Sequence, residues 1–381
     1  MRPTWVEVSR SAIRHNFRTI QKLVGPDVAV CAVVKADAYG HGSVECARAL
    51  EAEGAKWFGV TCTEEGLRLR QAGIQGRILL LAGFWRGDEA EVVRHQLTPA
   101  IWEWWQVGGL EAALNKLGRL SGPKFPVHLK LDTGMARLGV PEHYLKLFLD
   151  RLKAAPAIGV EGIFSHLASA EVVDAPDVEA QAAQFARFEQ QIRESGLKPR
   201  YWHISNSAAV VTHPQLWRDL VRPGLALYGY HLPPVNSAGK PAEVPSLGLI
   251  PALTWKSRII SLRDVPAGKP VGYGGTFVTR RPTKLAVLPV GYADGLNRHL
   301  WNRGQVIVRG ALAPIAGRVT MDITVVDVTD IPGANVGDEA VLIGGSGDCR
   351  IGAWDHAAIV GTIPYEILCN ISDRVPRTYV E

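Results

Sequence analysis

The sequence has only five cysteines in 381 residues: Cys31, Cys46, Cys62, Cys349 and Cys369. Their number is odd, no two form a CxxC pair, and none has a histidine at zinc-ligand spacing. They are expected to be reduced, buried thiols. No Lys/Arg block is longer than Arg280-Arg281, and the formal net charge is only +5. So dilute a charge argues against a dedicated nucleic-acid surface. Long apolar runs are also missing. Stretches such as Ile78–Ala82 fall far short of the roughly 20 residues of a membrane span, and the opening MRPTWVEVSR has no apolar h-region. The expected location is the cytoplasm, with no membrane partner.

What is present is a globular composition, 47% hydrophobic and 21% charged. At roughly 150 residues per domain the length suggests about two domains. From Val28 to about Tyr228, short apolar runs alternate with longer amphipathic stretches, the pattern of βα units on a parallel sheet. The strand candidates are Val28–Val34, Trp57–Thr61, Arg77–Ala82, Leu97–Ile101, Val127–Leu131, Val160–Ser165, Tyr201–Ser205 and a run within Leu220–Tyr228. Eight such strands close a (β/α)8 barrel, and an open doubly wound sheet is the alternative. Ser43 and Thr63 stand where helix N-caps are expected, and Asp177–Ser195 reads as a helix. His231–Ser246, rich in Pro, Ser and Gly, reads as a linker. Beyond it, Ala252–Leu262, Lys284–Pro289, Gln305–Val308, Ile323–Val328 and Ala340–Ile343 are β-rich, with one helical pattern near Gly352–Val360. The expected domains are therefore a (β/α)8 barrel over 9–240 and a smaller all-β domain over 241–381.

Lys35 follows the apolar run of the first barrel strand, at the C-terminal mouth where barrel active sites lie. Apolar walls lower the pKa of an amine and supply the neutral form that condenses with a carbonyl, so Lys35 reads as a Schiff-base lysine or as one that snorkels to water. Tyr39 and the Gly40-His41-Gly42 turn follow it, where a hydroxyl and backbone N–H groups can converge on an anion. The seventh strand ends in His203-Ile204-Ser205-Asn206-Ser207, and the eighth unit carries Arg222-Pro223-Gly224-Leu225. Barrels frequently hold phosphate in these two loops, and Ser207 with the Gly224 and Leu225 amides are the candidates here. A Schiff-base lysine opposite a phosphate cup suggests pyridoxal phosphate, with Arg222 as partner of the ring nitrogen. Arginine only donates, so that nitrogen would stay unprotonated, which favours moving one proton over decarboxylation or transamination.

The segments AVVKADAYGHG, HLKLDTGMARLGV, ISNSAA, VRPGLALYG, VGYGGTF, LPVGYADG, GRVTMD and TIPYEILCNIS, in this order, resemble the bacterial alanine racemases. The resemblance implies a fold type III pyridoxal phosphate enzyme and a homodimer whose sites combine both subunits. It also implies that the first strand, around Thr4–Val8, lies on the C-terminal domain. It assigns Lys35 to the cofactor and to the D face of the substrate α-carbon, and Tyr273, from the partner subunit, to the L face. Inversion through a planar carbanion needs a base on each face. A free tyrosine is ionised in only about one molecule in a thousand at neutral pH. By resemblance, His166 links Tyr273 to Arg222. Lys130, as a carbamate, fixes Arg137, which contacts the cofactor phenolate and the substrate carboxylate. For Lys130 and Arg137 to meet, the chain must turn at Asp132-Thr133-Gly134, because seven extended residues span roughly 23 Å. Tyr365 is implied as a phosphate ligand, and Met321 as the backbone donor to the substrate carboxylate. Tyr292, Met321, Arg298 and Arg318 are implied as lining the access corridor.

Three positions depart from the common pattern: Thr320 replaces a frequent cysteine, Glu171 a common aspartate, and Pro364 a frequent asparagine. Thr320 is expected to change the size or polarity of the pocket without loss of chemistry, while Glu171 and Pro364, at the entrance, bear on substrate breadth. The activity implied is interconversion of L- and D-alanine, feeding peptidoglycan synthesis. A serine or broader racemase of the same fold, or a non-catalytic cofactor carrier, are the alternatives. The aromatic run Ile101–Trp105 is expected to pack between the barrel and its outer helices, with a subunit contact as the second option.

Overall fold

A computed structural model describes residues 2–381. It divides into two compact units. One consists of Ile13–Ala38 and Ser43–Ile250, and the other of the chain up to Ala12, Tyr39–Gly42 and Pro251–Glu381.

The first unit is an eight-stranded parallel barrel. Its strands are β2 (Ala29–Val33), β3 (Trp57–Val60), β4 (Arg77–Leu80), β5 (Thr98–Ile101), β6 (Phe125–Lys130), β7 (Ile158–Phe164), β8 (Tyr201–His203) and β9 (Leu220–Val221), each from β2 to β7 paired with the next in sequence and β9 with β2. The ring closes between β8 and β9 through the Asn206–Arg222 bridge and the bond from Arg222 N–H to the Ser205 carbonyl, 3.0 Å. One inner layer is filled by Cys31, Trp57, Leu79, Tyr201 and Leu220, so the barrel is a packed core and not a pore. All eight strands fall within the apolar runs read from the sequence or overlap them by most of their length.

The helices between them carry ordinary sequence signals. Pro176–Glu194 begins with Pro in its first turn, followed by Asp177 and Glu179, which suit the positive end of the helix dipole. Trp104–Lys116 starts where the Gln106 side-chain Oε1 accepts from the Trp102 and Glu103 amides at 2.8 and 2.9 Å. Trp104 packs edge-on against Phe148 and Trp105 against Phe84, so the aromatic run does lie against neighbouring helix and loop residues. Thr63 is the first helical residue, and Cys62 holds the N-cap position without a side-chain cap. The segment His231–Ser246 stays with the barrel unit, tied by Val235 N–H to the Glu171 carbonyl (3.0 Å) and by Ser237 to Asp174.

The second unit is built on antiparallel sheets. In the larger, β1 (Thr4–Ser9) lies between β10 (Leu253–Arg258), antiparallel, and the last strand, Arg377–Val380, parallel. A three-stranded sheet joins Ser261–Val265, Thr283–Leu288 and Thr324–Asp327. The buried carboxylate of Asp294 organises this unit, pairing with Arg2 and Arg374 and accepting from the Gly291 amide at 3.0 Å.

Candidate active site

Four of the singled-out residues lie at the C-terminal ends of barrel strands, Lys35 after β2, Lys130 ending β6, His166 after β7 and Arg222 after β9, and His203 ends β8 beside them. Parallel strands bring such ends to one mouth. Their mutual charges show in their ionisation. The Lys130 amine is pulled down to about 8, chiefly by burial and then by Arg222, Arg137 and Lys35, against the opposing pull of Asp132. His166 is pushed down to about 3, first by burial and then by Arg222, Arg137, Lys130 and Lys35. Four cations therefore face one small volume. Burial also lowers the Arg222 guanidinium, to about 10.

Arg222 is held by neutral acceptors. Nη1 donates to His203 Nδ1 at 2.8 Å, while Nη2 donates to the Ser165 and Ile204 carbonyls at 2.8 and 3.1 Å and lies 3.5 Å from His166 Nδ1. Lys130 Nζ donates to the Leu81 carbonyl at 3.2 Å, with the faces of Trp102 and Phe164 within 6 Å. The loop after Lys130 turns as its composition suggests: Asp132 Oδ1 accepts from the Gly134 and Ala136 amides, and the Val140 amide returns to the Lys130 carbonyl. Arg137 sits on that loop, exposed to solvent, and acts on Lys130 and His166 through its charge. Gln181, buried on the Pro176–Glu194 helix, ties the neighbouring loops by donating to Thr133 Oγ1 and the His166 carbonyl.

At the phosphate candidates, Ser207 Oγ accepts from the Gly224 amide at 2.7 Å and the Ala226 amide at 3.3 Å. The Gly224 N–H is thus turned to Ser207, and the Ser207 hydroxyl proton remains for an acceptor.

Lys35 opens an unusual piece of backbone. Ala36, Asp37, Ala38 and Tyr39 all have φ between 50° and 55°, followed by Gly40 at 80°, so this is a left-handed helical turn. L-residues pay roughly 1–2 kcal/mol each for that conformation. The turn is held by Glu65, whose carboxylate accepts from the Ala36 amide, and by Asp37, which accepts from the Ser43 amide at 2.8 Å. Tyr39–Gly42 belongs to the second unit, where the Tyr39 ring lies 5.7 Å from that of Tyr365 and Arg377 donates to the Gly40 carbonyl. Gly40 has no room for a side chain, since a Cβ would stand 2.3 Å from the Leu368 carbonyl oxygen.

In the second unit, Tyr273 stands 72% exposed on a turn formed by Gly272, Gly274 and Gly275, all at positive φ. Tyr292 and Met321 come together, because the Tyr292 and Ala293 amides donate to the Thr320 and Met321 carbonyls at 2.9 and 3.1 Å. Both side chains are exposed. Among the described residues no cluster of His, Cys, Asp or Glu suits a metal ion, and no helix is long and apolar enough to cross a membrane.

Sequence reading passed over three participants, Glu65, His128 and His203, as functional residues. His128 and Lys130 occupy alternate positions of β6 and so share the face turned into the barrel, which was a legible signal.

The family described as "Alanine racemase, N-terminal domain" matches residues 8–232, and "Alanine racemase, C-terminal domain" matches 252–379. An alanine racemase of Syntrophobacter fumaroxidans is 43% identical over 97% of this chain and 96% of its own length. One from Carboxydothermus hydrogenoformans is 43% identical over the whole of both chains. Among solved structures, alanine racemase from Streptomyces lavendulae superposes with a TM-score of 0.91 at 36% identity, covering 100% of this chain and 98% of that one. A Bacillus anthracis alanine racemase with bound L-Ala-P gives 0.90 at 32% identity, covering 100% and 96%. With both domain families matched in order along the chain, and a lysine and a buried arginine at the mouth of the barrel, the chain belongs to the alanine racemase family.

Proposed function

We propose that this chain interconverts L- and D-alanine with pyridoxal phosphate as cofactor, acting as a homodimer with shared sites and supplying D-alanine for peptidoglycan. The observation that carries this reading is the convergence of Lys35, Lys130, Arg137 and Arg222 on the volume beside His166. That excess of positive charge fits a phosphate monoester, a phenolate and a substrate carboxylate together. When bound, pyridoxal phosphate supplies the electron withdrawal that acidifies the α-C–H of an amino acid.

The residues then divide the work. Lys35 attaches the cofactor and exchanges a proton at one face of the α-carbon, and Tyr273 of the partner subunit exchanges a proton at the opposite face. Arg222 offers a remaining N–H to the ring nitrogen and, being donor-only, leaves it unprotonated. His166, neutral at physiological pH, stands 3.5 Å from Arg222, able to accept from it on one nitrogen and to donate to Tyr273 from the other. Ser207 and the Leu225 amide from the two barrel loops, with the Tyr39 and Tyr365 hydroxyls, take the phosphate, while the Gly224 amide serves Ser207 Oγ instead; Arg137 with the Met321 amide holds the substrate carboxylate. Lys130 suits carbamate formation, because a depressed amine pKa supplies the neutral form that adds carbon dioxide. The exposure of Tyr273, Tyr292 and Met321 on the second unit suits burial by another chain.

The test is to supply the purified protein with pyridoxal phosphate and follow the optical rotation of L-alanine, D-alanine and a panel that includes serine. Racemisation of alanine, together with borohydride fixation of the cofactor on Lys35, is expected. A protein that takes up no cofactor and racemises none of the panel overturns the reading.

A further inference from the structure

Behind Arg222 a chain of polar side chains runs through the barrel interior towards its other mouth. His203 Nε2 lies 2.9 Å from His128 Nδ1, and His128 Nε2 faces Glu161 Oε2 at 3.9 Å. Glu161 is in turn held by both terminal nitrogens of Arg77, whose guanidinium lies on the Trp57 ring, 4.4 Å from its centroid. Both imidazoles are fully buried, and His128 Nε2 has no hydrogen-bond partner among the described residues. A buried, unpartnered ring nitrogen turned towards a carboxylate needs an explanation.

Elementary chemistry fixes every proton in this chain. Arginine has no acceptor, so the His203 Nδ1 that meets Arg222 carries a lone pair and the ring proton sits on Nε2. His128 Nδ1 must accept that proton, which leaves the second proton on His128 Nε2, pointing at Glu161. All N–H bonds run away from Arg222 and end at the one carboxylate. Burial supports neutral rings, holding His128 down at about 3 and His203 well below the usual histidine range. Had His203 the other tautomer, two donors would face each other across 2.8 Å.

The backbone is adapted to this arrangement. The β6–β7 register shifts between Val127 and His128, a bulge of the kind that re-aims a side chain. Across it stands Gly162, where a Cβ would come within 2.4 Å of the His128 ring. Phe164 stacks on His203 with its centroid 4.8 Å away and the planes within 2°.

We propose that His128, oriented by Glu161, is a positioning residue that fixes the tautomer of His203 and so anchors Arg222 as a donor towards the cofactor site. The consequence for the reaction rests on the role proposed above for Arg222; the proton arrangement itself does not.

The test uses the full-length protein labelled with 15N-histidine, the His203 signals being assigned by their loss in His203→Gln. His203 is expected to be protonated on Nε2 and bare on Nδ1 at neutral pH. In His128→Phe the His203 Nε2–H is buried without an acceptor, so the ring should part from Arg222 and exchange between tautomers, and kcat for alanine should fall about tenfold with KM within about twofold, the worth of the lost hydrogen bond to the guanidinium. His128→Asn, which keeps an acceptor near the Nδ1 position, should restore the tautomer and most of kcat. Glu161→Gln, a change at the far end of the chain, should give the same kind of effect in smaller measure and serves if His128→Phe does not fold. A proton on His203 Nδ1 in the unaltered protein overturns the proposal. So does an unchanged His203 tautomer in a folded His128→Phe protein or, failing that protein, in Glu161→Gln. Loss of the tautomer with unchanged kcat instead overturns the role given to Arg222.

Discussion

Glu65 and Ala36 are joined by a 2.7 Å hydrogen bond from the Ala36 amide to Oε1, while the other oxygen of the same carboxylate takes the Thr61 amide at 2.6 Å. One side chain on the helix after β3 thus holds the backbone next to Lys35 and the end of its own strand. Charged acceptors on backbone amides are among the stronger hydrogen bonds, although solvent reaches this one. Glu65→Ala should cost about 1–2 kcal/mol, read as a lower urea midpoint at constant m, and should weaken cofactor retention. An unchanged midpoint would show that the turn is held by other contacts.

The left-handed turn inverts the usual rule for glycine. In a right-handed helix Ala→Gly costs roughly 0.5–1 kcal/mol, but Ala36 sits at φ 50° and is exposed. Ala36→Gly should relieve about 1–2 kcal/mol of torsional cost against up to about 1 kcal/mol of added chain entropy. Stability should therefore hold or rise by up to about 1 kcal/mol, whereas Ala36→Val should lower it. Paired urea titrations decide, and equal losses in both variants would contradict the argument.

Lys130 gives a pH dependence with a definite sign. Its amine titrates near 8 in the folded chain and near 10.5 when unfolded, so between these values the unfolded state binds more protons and stability rises with pH. Below about 8 both states are protonated and the folded state bears the full cost of the buried charge. Lys130→Met should flatten the curve between about pH 8 and 10.5. Added bicarbonate near neutral pH should raise the Tm of the unaltered protein and leave Lys130→Met unmoved, the signature of a carbamate; equal responses would count against one.

The barrel was legible because each strand is a short apolar run closed by turn residues, and eight such runs in βα alternation leave few other architectures. The second unit was read less completely. The run Ala252–Leu262 divides between two sheets at Ile259-Ile260, and the strands Ala311–Pro314, Cys349–Ile351 and Arg377–Val380 are too short and mixed to stand out. The turn after Lys35 was invisible, since Ala, Asp and Tyr carry no preference for four successive residues at positive φ. Position at the strand ends pointed to Lys35 and Arg222, and motif resemblance added Lys130 and His166. It did not reveal that His203 and His128 stand behind them, because that depends on a bulge and on which face of β6 turns inward.

Acid should act on the buried histidines together. His128 and His166 titrate near 3 and His356 near 4, and His203 lies well below the usual range, all chiefly through burial. Each stays neutral in the folded chain while its unfolded counterpart protonates below about 6.5, so its contribution is present above that pH and is lost as pH falls towards the folded value. Each such group adds about 1.4 kcal/mol per pH unit to the slope of unfolding free energy between about pH 6 and 4. His356 lies in the second unit, outside the site, and His356→Phe should reduce that slope by about one proton. Equal slopes would mean that its ring is protonated, or exposed, in the folded state.

A shared site makes a prediction that a self-contained one cannot. If Lys35 of one subunit works opposite Tyr273 of the partner subunit, a Lys35→Ala homodimer lacks one base at both sites, and a Tyr273→Ala homodimer lacks the other. A hybrid of the two concentrates both defects in one site and leaves the second intact. Random reassociation of equal amounts makes half of the dimers hybrid with one intact site each, so about a quarter of full activity should return after unfolding and refolding the mixture. The single variants must also differ in kind: Tyr273→Ala should lose exchange of the L-alanine α-proton with solvent deuterium while retaining some exchange from D-alanine. Equal residual exchange from both enantiomers would reverse or cancel the face assigned to Tyr273. A refolded mixture as inactive as its components would place both bases on one subunit.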